Sequence, residues 1–177
     1  MNEKKIDVIK KKQYYLLIKS IIVNLAVMDE FDKKILDFLQ KNAKLTAKEL
    51  SNSLSLSQTP IYERIKKLEK LGVIKDYVAI LDADIVNKGF IVFMNITIKE
   101  HGHKSRKVFI DKLSEFKDVA ELYHTSGSYD FLAKVRFANV KEYRDFLVDH
   151  IATVENISDI DSQIVLEEIK SSTYINL

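Results

Sequence analysis

The sequence predicts an α+β protein in two parts, a winged helix-turn-helix followed by a ferredoxin-like βαββαβ domain. Three observations carry this expectation. Three amphipathic helical stretches follow one another across residues 29–71, the last of them basic. A short extended stretch succeeds them at residues 73–82. Beyond Gly89, apolar runs of period two and helical patterns alternate as strand, helix, strand, strand, helix, strand,.

Composition agrees with a globular chain. Of 177 residues, 46% are hydrophobic and 31% charged, enough apolar material for one domain or two small ones,. One Pro and four Gly leave little room for a disordered linker. The absence of Cys excludes disulfides and thiolate chemistry and is compatible with a reducing compartment,. The net charge of +2 conceals an asymmetry: six Lys face Glu3 and Asp7 within residues 1–27, leaving 22 basic against 24 acidic residues afterwards. Positive charge confined to parts of a chain favours a localised binding face over indiscriminate coating of DNA.

Residues 1–27 run from a lysine-rich start into YYLLIKSIIVNLAV, 14 residues broken by Lys19 and Asn24. That is short of the roughly 20 needed to span a bilayer. A signal peptide would also start basic and turn apolar, but this segment leads straight into an apparent DNA-binding domain. It is expected to be an extra N-terminal helix or an upstream extension, with natural translation starting at Met28. Next, Asp29 or Asp32 caps a helix with Phe31, Ile35, Phe38 and Leu39 on one face, ending near Asn42,. Thr46 and Glu49 form a capping box for a second helix, whose Ala47, Leu50 and Leu54 are apolar,. The run from Leu54 to Ser57 ends it and supplies the next cap. Pro60 is tolerated because it falls in the first turn of the third helix,.

The third helix sorts its residues by face. Ile61, Ile65 and Leu68 form an apolar stripe, while Thr59, Glu63, Lys66, Lys67 and Lys70 point away,. Five basic and two acidic residues between Ser57 and Lys75 leave a surplus of +3. Such a helix suits the DNA major groove; the bland alternative is a solvated face that happens to carry lysines. Ser57, Gln58 and Thr59 at its N-terminal end suit phosphates or base edges. Tyr62 and Glu63 suit base reading, and Lys66, Lys67 and Lys70 phosphates. Arg64, at the edge of the apolar stripe, is either a DNA contact or an intradomain ion-pair partner. Gly72 takes the helix C-cap position,, and residues 73–82 are extended, with Tyr77, Ala79 and Leu81 alternating. The winged helix-turn-helix therefore occupies 28–82, followed by a linker at 83–89.

The second part, residues 90–168, is expected as follows. Strands cover 90–98, 119–125, 131–137 and 157–168, the last with Ile160, Ile164 and Leu166 on one face. Helices cover 105–116, with Val108, Phe109, Leu113 and Phe116 inward, and a stretch capped by Asn139 that runs through Tyr143, Phe146 and Leu147. Residues 169–177 form a tail. One antiparallel sheet with both helices on one face leaves the other face to be covered, which implies a symmetric dimer. Paired recognition helices on two half-sites agree with that.

Two stretches carry a resemblance: LSQTPIYERIKKLEKLGVI followed by YVAILD, and TSGSYDFLAKVR with the later IVLEEIK. Together they resemble the Lrp/AsnC (leucine-responsive, asparagine-regulating, "feast/famine") transcription regulators over residues 28–170. The resemblance implies dimers assembling to larger rings, commonly octamers, and a small-molecule effector, typically an amino acid, at a subunit contact. The effector turn would correspond to Ser126, Gly127, Ser128, Tyr129 and Asp130. Gly127 permits close backbone approach, and Asp130 can hold an α-ammonium group; the bland reading makes Asp130 a backbone acceptor. The family often has an acidic residue at the position of Ser128, and the 27-residue leader is atypical of it.

No catalytic set emerges, and an enzyme is not expected. His101 and His103 resemble a metal pair but lie in a loop without a matching carboxylate motif, so neither metal nor cofactor is expected,. His124 is expected to be a packing or interface residue. P-loop, dinucleotide and nucleophile-elbow motifs are absent,. The expectation is a sequence-specific, metabolite-responsive regulator bound to double-stranded DNA, cytoplasmic and nucleoid-associated. The rivals are an effector-independent architectural DNA-binding protein of the same fold and a metabolite-binding module whose N-terminal half only binds proteins.

Overall fold

The structure, a computed structural model, describes residues 28–177; the expectations for residues 1–27 lie outside the described residues. The chain divides into two compact units. One comprises residues up to Ala79 together with Ser172–Leu177, the other Ile80–Ser171.

The first unit is a three-helix bundle. Helix α1 (Glu30–Lys41) starts at Asp29, whose carboxylate accepts from Phe31 N–H and Asp32 N–H while the Asp32 carboxylate reaches back to Asp29 N–H. This reciprocal box satisfies backbone donors that a helix start otherwise leaves orphaned. Ile35 and Leu39 face inward as expected, joined by Leu36. Phe31 instead stands 37% exposed, because at the helix start its cover is the Arg64 guanidinium, 5.8 Å from its ring centroid. Helix α2 (Ala47–Leu54) has the Thr46–Glu49 box and ends on Ser55 in the left-handed region. Helix α3 (Gln58–Lys70) follows; Ser57 occupies its N-cap position without a side-chain cap bond. Ile61 and Leu68 of α3 are buried against Ile35 and Leu50, with Ile65 half-buried beside them.

Gly72 ends α3 at φ +70, a conformation that a side chain disfavours,. Its N–H donates to Glu69 C=O, and Val73 N–H to Leu68 C=O, closing a Schellman motif,. No strand forms over residues 73–82 among the described residues, contrary to expectation. Val73 and Ile74 pack on the bundle and the Tyr77 hydroxyl donates to Glu69 at 3.1 Å, but no second strand lies alongside to share a ladder. The chain's last residues complete this unit. Gln40 Nε2 donates to Ile175 C=O (3.0 Å), Ile175 N–H donates to Gln40 Oε1 (2.7 Å), and the Tyr174 hydroxyl donates to Asp37.

The second unit is the expected βαββαβ. Strands β1 (Phe90–Ile98), β2 (Val119–His124), β3 (Phe131–Phe137) and β4 (Ile157–Ile164) form one antiparallel sheet in the order β2-β3-β1-β4. Helices α4 (His103–Ser114) and α5 (Val140–Asp149) bury Phe109, Leu113, Tyr143 and Phe146 against its Val92–Met94–Ile96 face. Asn139 caps α5 by accepting from Lys141 and Glu142 N–H. Val108 is 54% exposed rather than inward, since helical spacing turns it off the Phe109–Leu113 stripe,. Strand β4 ends at Ile164 instead of Glu168: Ile164 pairs with Val92 near the start of β1, and Leu166 beyond it is 98% exposed. Among the described residues no helix is long and apolar enough to cross a membrane.

Candidate functional site

Two regions match the sites expected from the sequence. The first is α3. Its N-terminal Ser57, Gln58 and Thr59, together with Tyr62, Glu63, Lys66 and Lys70, form an exposed stripe opposite buried Ile61 and Leu68. Lys66 pairs with Glu69 at 2.8 Å, and its ammonium lies 5.7 Å from the Tyr62 ring centroid. The Glu69 hydrogen bond raises the pKa of Lys66, so it stays cationic.

Arg64 and Lys67 behave differently. Arg64 Nη1 donates to Asp29 and to Asp32, each at 2.6 Å, and Lys67 Nζ lies 3.2 Å from the other Asp32 oxygen. Asp32 is completely buried. The open alternative for Arg64 closes as an intradomain ion pair. Lys67, expected to point outward with Lys66 and Lys70, is half-buried on the same clasp, because it follows Arg64 by one helical turn,. The hydrogen bonds that Arg64 donates to Asp32 and Asp29 raise its pKa. The Asp32 N–H, and next in favour of the anion Arg64, hold the Asp29 carboxyl below its ordinary value. Sequence reasoning placed Asp32 as a cap and missed its burial.

The second region is the turn between β2 and β3. Gly127 adopts φ +145, which glycine alone takes readily, and nothing crowds the space beside it,. Ser126 and Ser128 are exposed with it, and the Tyr129 hydroxyl lies 3.5 Å from Asp161. Asp130 is engaged on both oxygens: Oδ2 accepts from Ile98 N–H at 2.9 Å, and Oδ1 lies 3.3 Å from His101 Nδ1. The backbone-acceptor reading of Asp130 therefore holds in this structure. The loop carrying His101 is braced by Asn156, which accepts from Glu100 N–H (2.7 Å) and donates to Glu100 C=O (3.0 Å). Neither His101 nor Asn156 was anticipated at this turn, since both come from elsewhere in the sequence. His124 stacks beside Phe131, with centroids 5.0 Å apart. Among the described residues no group of three or more His, Cys, Asp or Glu is placed to hold a metal ion.

The second unit also carries a cleft of about 920 Å³, lined by Ile80, Leu81, Val86, Arg136, Leu166 and Glu168 among others. Its rim mixes charged side chains with exposed aliphatic ones, Ile80 being 78% and Leu81 67% exposed. Arg136 donates to Glu168 through Nη2, and its Nη1 is buried without a hydrogen-bond partner among the described residues.

Comparison with known proteins assigns a family to each unit. Residues 28–75 match the winged helix-turn-helix DNA-binding family, and residues 91–175 match the Lrp/AsnC ligand-binding domain. The chain is 33% identical over 150 residues to the leucine-responsive regulatory protein of Haemophilus influenzae, covering 85% of this chain and 90% of that one. The structure resembles the AsnC family transcriptional regulator from Agrobacterium tumefaciens at TM-score 0.81 and 38% identity, covering 84% and 97% of the two chains. A Neisseria meningitidis transcriptional regulator in complex with L-Met is similar at TM-score 0.81 and 31% identity, covering 85% and 97%. With a helix-turn-helix unit at one end and the ligand-binding unit at the other, the chain belongs to the Lrp/AsnC family of DNA-binding transcription regulators.

Proposed function

We propose that this protein binds operator DNA through α3 and answers to an amino acid held at the turn of residues 126–130. The carrying observation is the sorting of α3: its Ile61–Leu68 side is locked into the bundle, and its opposite side exposes Gln58, Thr59, Tyr62, Glu63, Lys66 and Lys70. In this reading Ser57, Gln58 and Thr59 approach phosphates or base edges at the helix N-terminus. Tyr62 and Glu63 read bases, Glu63 by accepting from a cytosine amino group. Lys66 and Lys70 neutralise phosphates.

The working assembly is a homodimer that associates to an octamer, acting in the cytoplasm at the nucleoid. The exposed aliphatic rim of Ile80, Leu81 and Leu166 supports a second copy covering this side of the second unit,. The effector reading draws support from the ligand-binding domain match and from the L-Met carried by the Neisseria meningitidis relative. Thermal denaturation of the protein with each common amino acid tests it. A ligand that binds the folded state raises the melting temperature, and a flat response to the whole panel rejects it.

One observation favours the effector-independent architectural alternative. Each Asp130 oxygen already has a neighbour, Ile98 N–H or His101 Nδ1, so an α-ammonium would have to share the carboxylate with them,. Weak sequence preference in DNA mobility shifts, together with a flat thermal response, would establish that alternative.

A further inference from the structure

We infer that Asp32 is a positioning residue for DNA recognition: it draws Arg64 and Lys67 into the bundle and leaves Lys66 and Lys70 as the phosphate-binding cations of α3. The inference rests on α3 being the DNA-facing helix. Counted by sequence, α3 offers four cations, Arg64, Lys66, Lys67 and Lys70. The structure divides them. Arg64 spans two carboxylates at 2.6 Å each, and its guanidinium also covers the Phe31 ring. Lys67 approaches Asp32 Oδ2 at 3.2 Å. The carboxylate that holds both is fully buried, whereas the Lys66–Glu69 pair is an exposed i, i+3 contact of the kind that exchanges readily with other anions,. Lys70 is exposed at the end of the helix.

The arrangement makes one element serve two ends. The capping box that starts α1 is also the clasp that fixes the rotation of α3, since Asp29 and Asp32 each accept from the same Arg64 nitrogen. A buried carboxylate bound by two cations resists rotation of α3 about its axis, because any turn strands a charge away from water. The stripe of Thr59, Glu63, Lys66 and Lys70 is thereby held outward.

Salt dependence of binding separates this inference from a merely structural role. Each phosphate contact contributes a slope of roughly 0.9 in log affinity against log salt. Binding of the full chain to a random-sequence duplex is measured across salt concentrations for the wild type and single variants. Lys70→Gln and Lys66→Gln are each expected to lower the slope by about 0.9 per chain, and Arg64→Gln and Lys67→Gln to leave it unchanged while lowering the melting temperature. Asp32→Asn weakens the hold on Arg64 and Lys67 and is expected to steepen the slope by about 0.9 for each cation that turns to phosphate. A drop for Lys67→Gln equal to that for Lys70→Gln overturns the inference, as does an unchanged slope in folded Asp32→Asn. Should Asp32→Asn fail to fold, the contrast between Lys67→Gln and Lys70→Gln decides. Duplex binding that none of the four Gln substitutions alters would instead remove α3 from the DNA interface, a separate failure.

Discussion

The two units solve the same problem with different materials. The second buries fourteen side chains between a four-stranded sheet and two helices, with Phe109 and Phe131 rings 4.8 Å apart at its centre. Among the described residues the first has six buried apolar side chains and adds a buried carboxylate with two cations. A small bundle cannot remove enough apolar surface from water to be insensitive to its polar links. The unit that matches the helix-turn-helix family thus depends on an ionic clasp for its geometry, and the unit that matches the ligand-binding family depends on packing.

Three substitutions or conditions sharpen or break that contrast. Phe131→Ala should be the costliest, by about 3–5 kcal/mol, and confined to the second unit; hydrogen exchange resolved by segment would show the loss there and intact protection in α1–α3. Asp32→Ala should cost about 3 kcal/mol, the low end for breaking a buried pair, because Arg64 and Lys67 can turn toward solvent. A cost below 1 kcal/mol would place the first unit's stability in its apolar core after all. Thr46→Ala removes one helix cap and should cost about 1 kcal/mol, read from denaturant melts.

Acid should distinguish the units as well. The Asp29 carboxyl is lowered chiefly by Asp32 N–H, and Glu49 by Thr46 N–H. Asp37 is lowered by Lys41 first and Tyr174 next. Stability from a depressed carboxyl is complete above its unfolded value of about 4 and is lost as pH falls through the lower folded value. Glu30 and Glu69 are lowered as well, which makes five such groups in the helical unit against Glu142 and Asp145 in the sheet unit among the described residues. Hydrogen exchange below about pH 4 should therefore rise first in the helical unit. Earlier loss in the sheet unit would reverse the comparison.

The sequence was most legible where local chemistry decides. Asp29, Thr46, Asn139 and Gly72 mark helix ends by bonds within a few residues, and each occupies that position. The order of the second unit followed from alternation in 90–98 and 131–137, which one buried face imposes,. Legibility failed where a partner lies far along the chain. Asp32 is buried because Arg64, 32 residues later, receives it. Asp130 is spent because Ile98 and His101 meet it. Residues 73–82 and Leu166 have strand-like composition, but a ladder needs a neighbour, and composition does not supply one,. Which cations of α3 face outward was likewise hidden, since Arg64 and Lys67 differ from Lys70 by their partners and not by their kind.

The docking of Tyr174 and Ile175 on α1 carries a consequence for biosynthesis. Tyr174 and Ile175 follow Asp37 and Gln40 by 137 and 135 residues, so the bonds that join them to α1 can form only after the sheet unit has been synthesised,. An early helix is thus joined by a much later segment of the nascent polypeptide. A DNA-binding fragment cut after Ala79 would therefore lack its own closing piece, and supplying residues 172–177 as a separate peptide is the direct way to restore it.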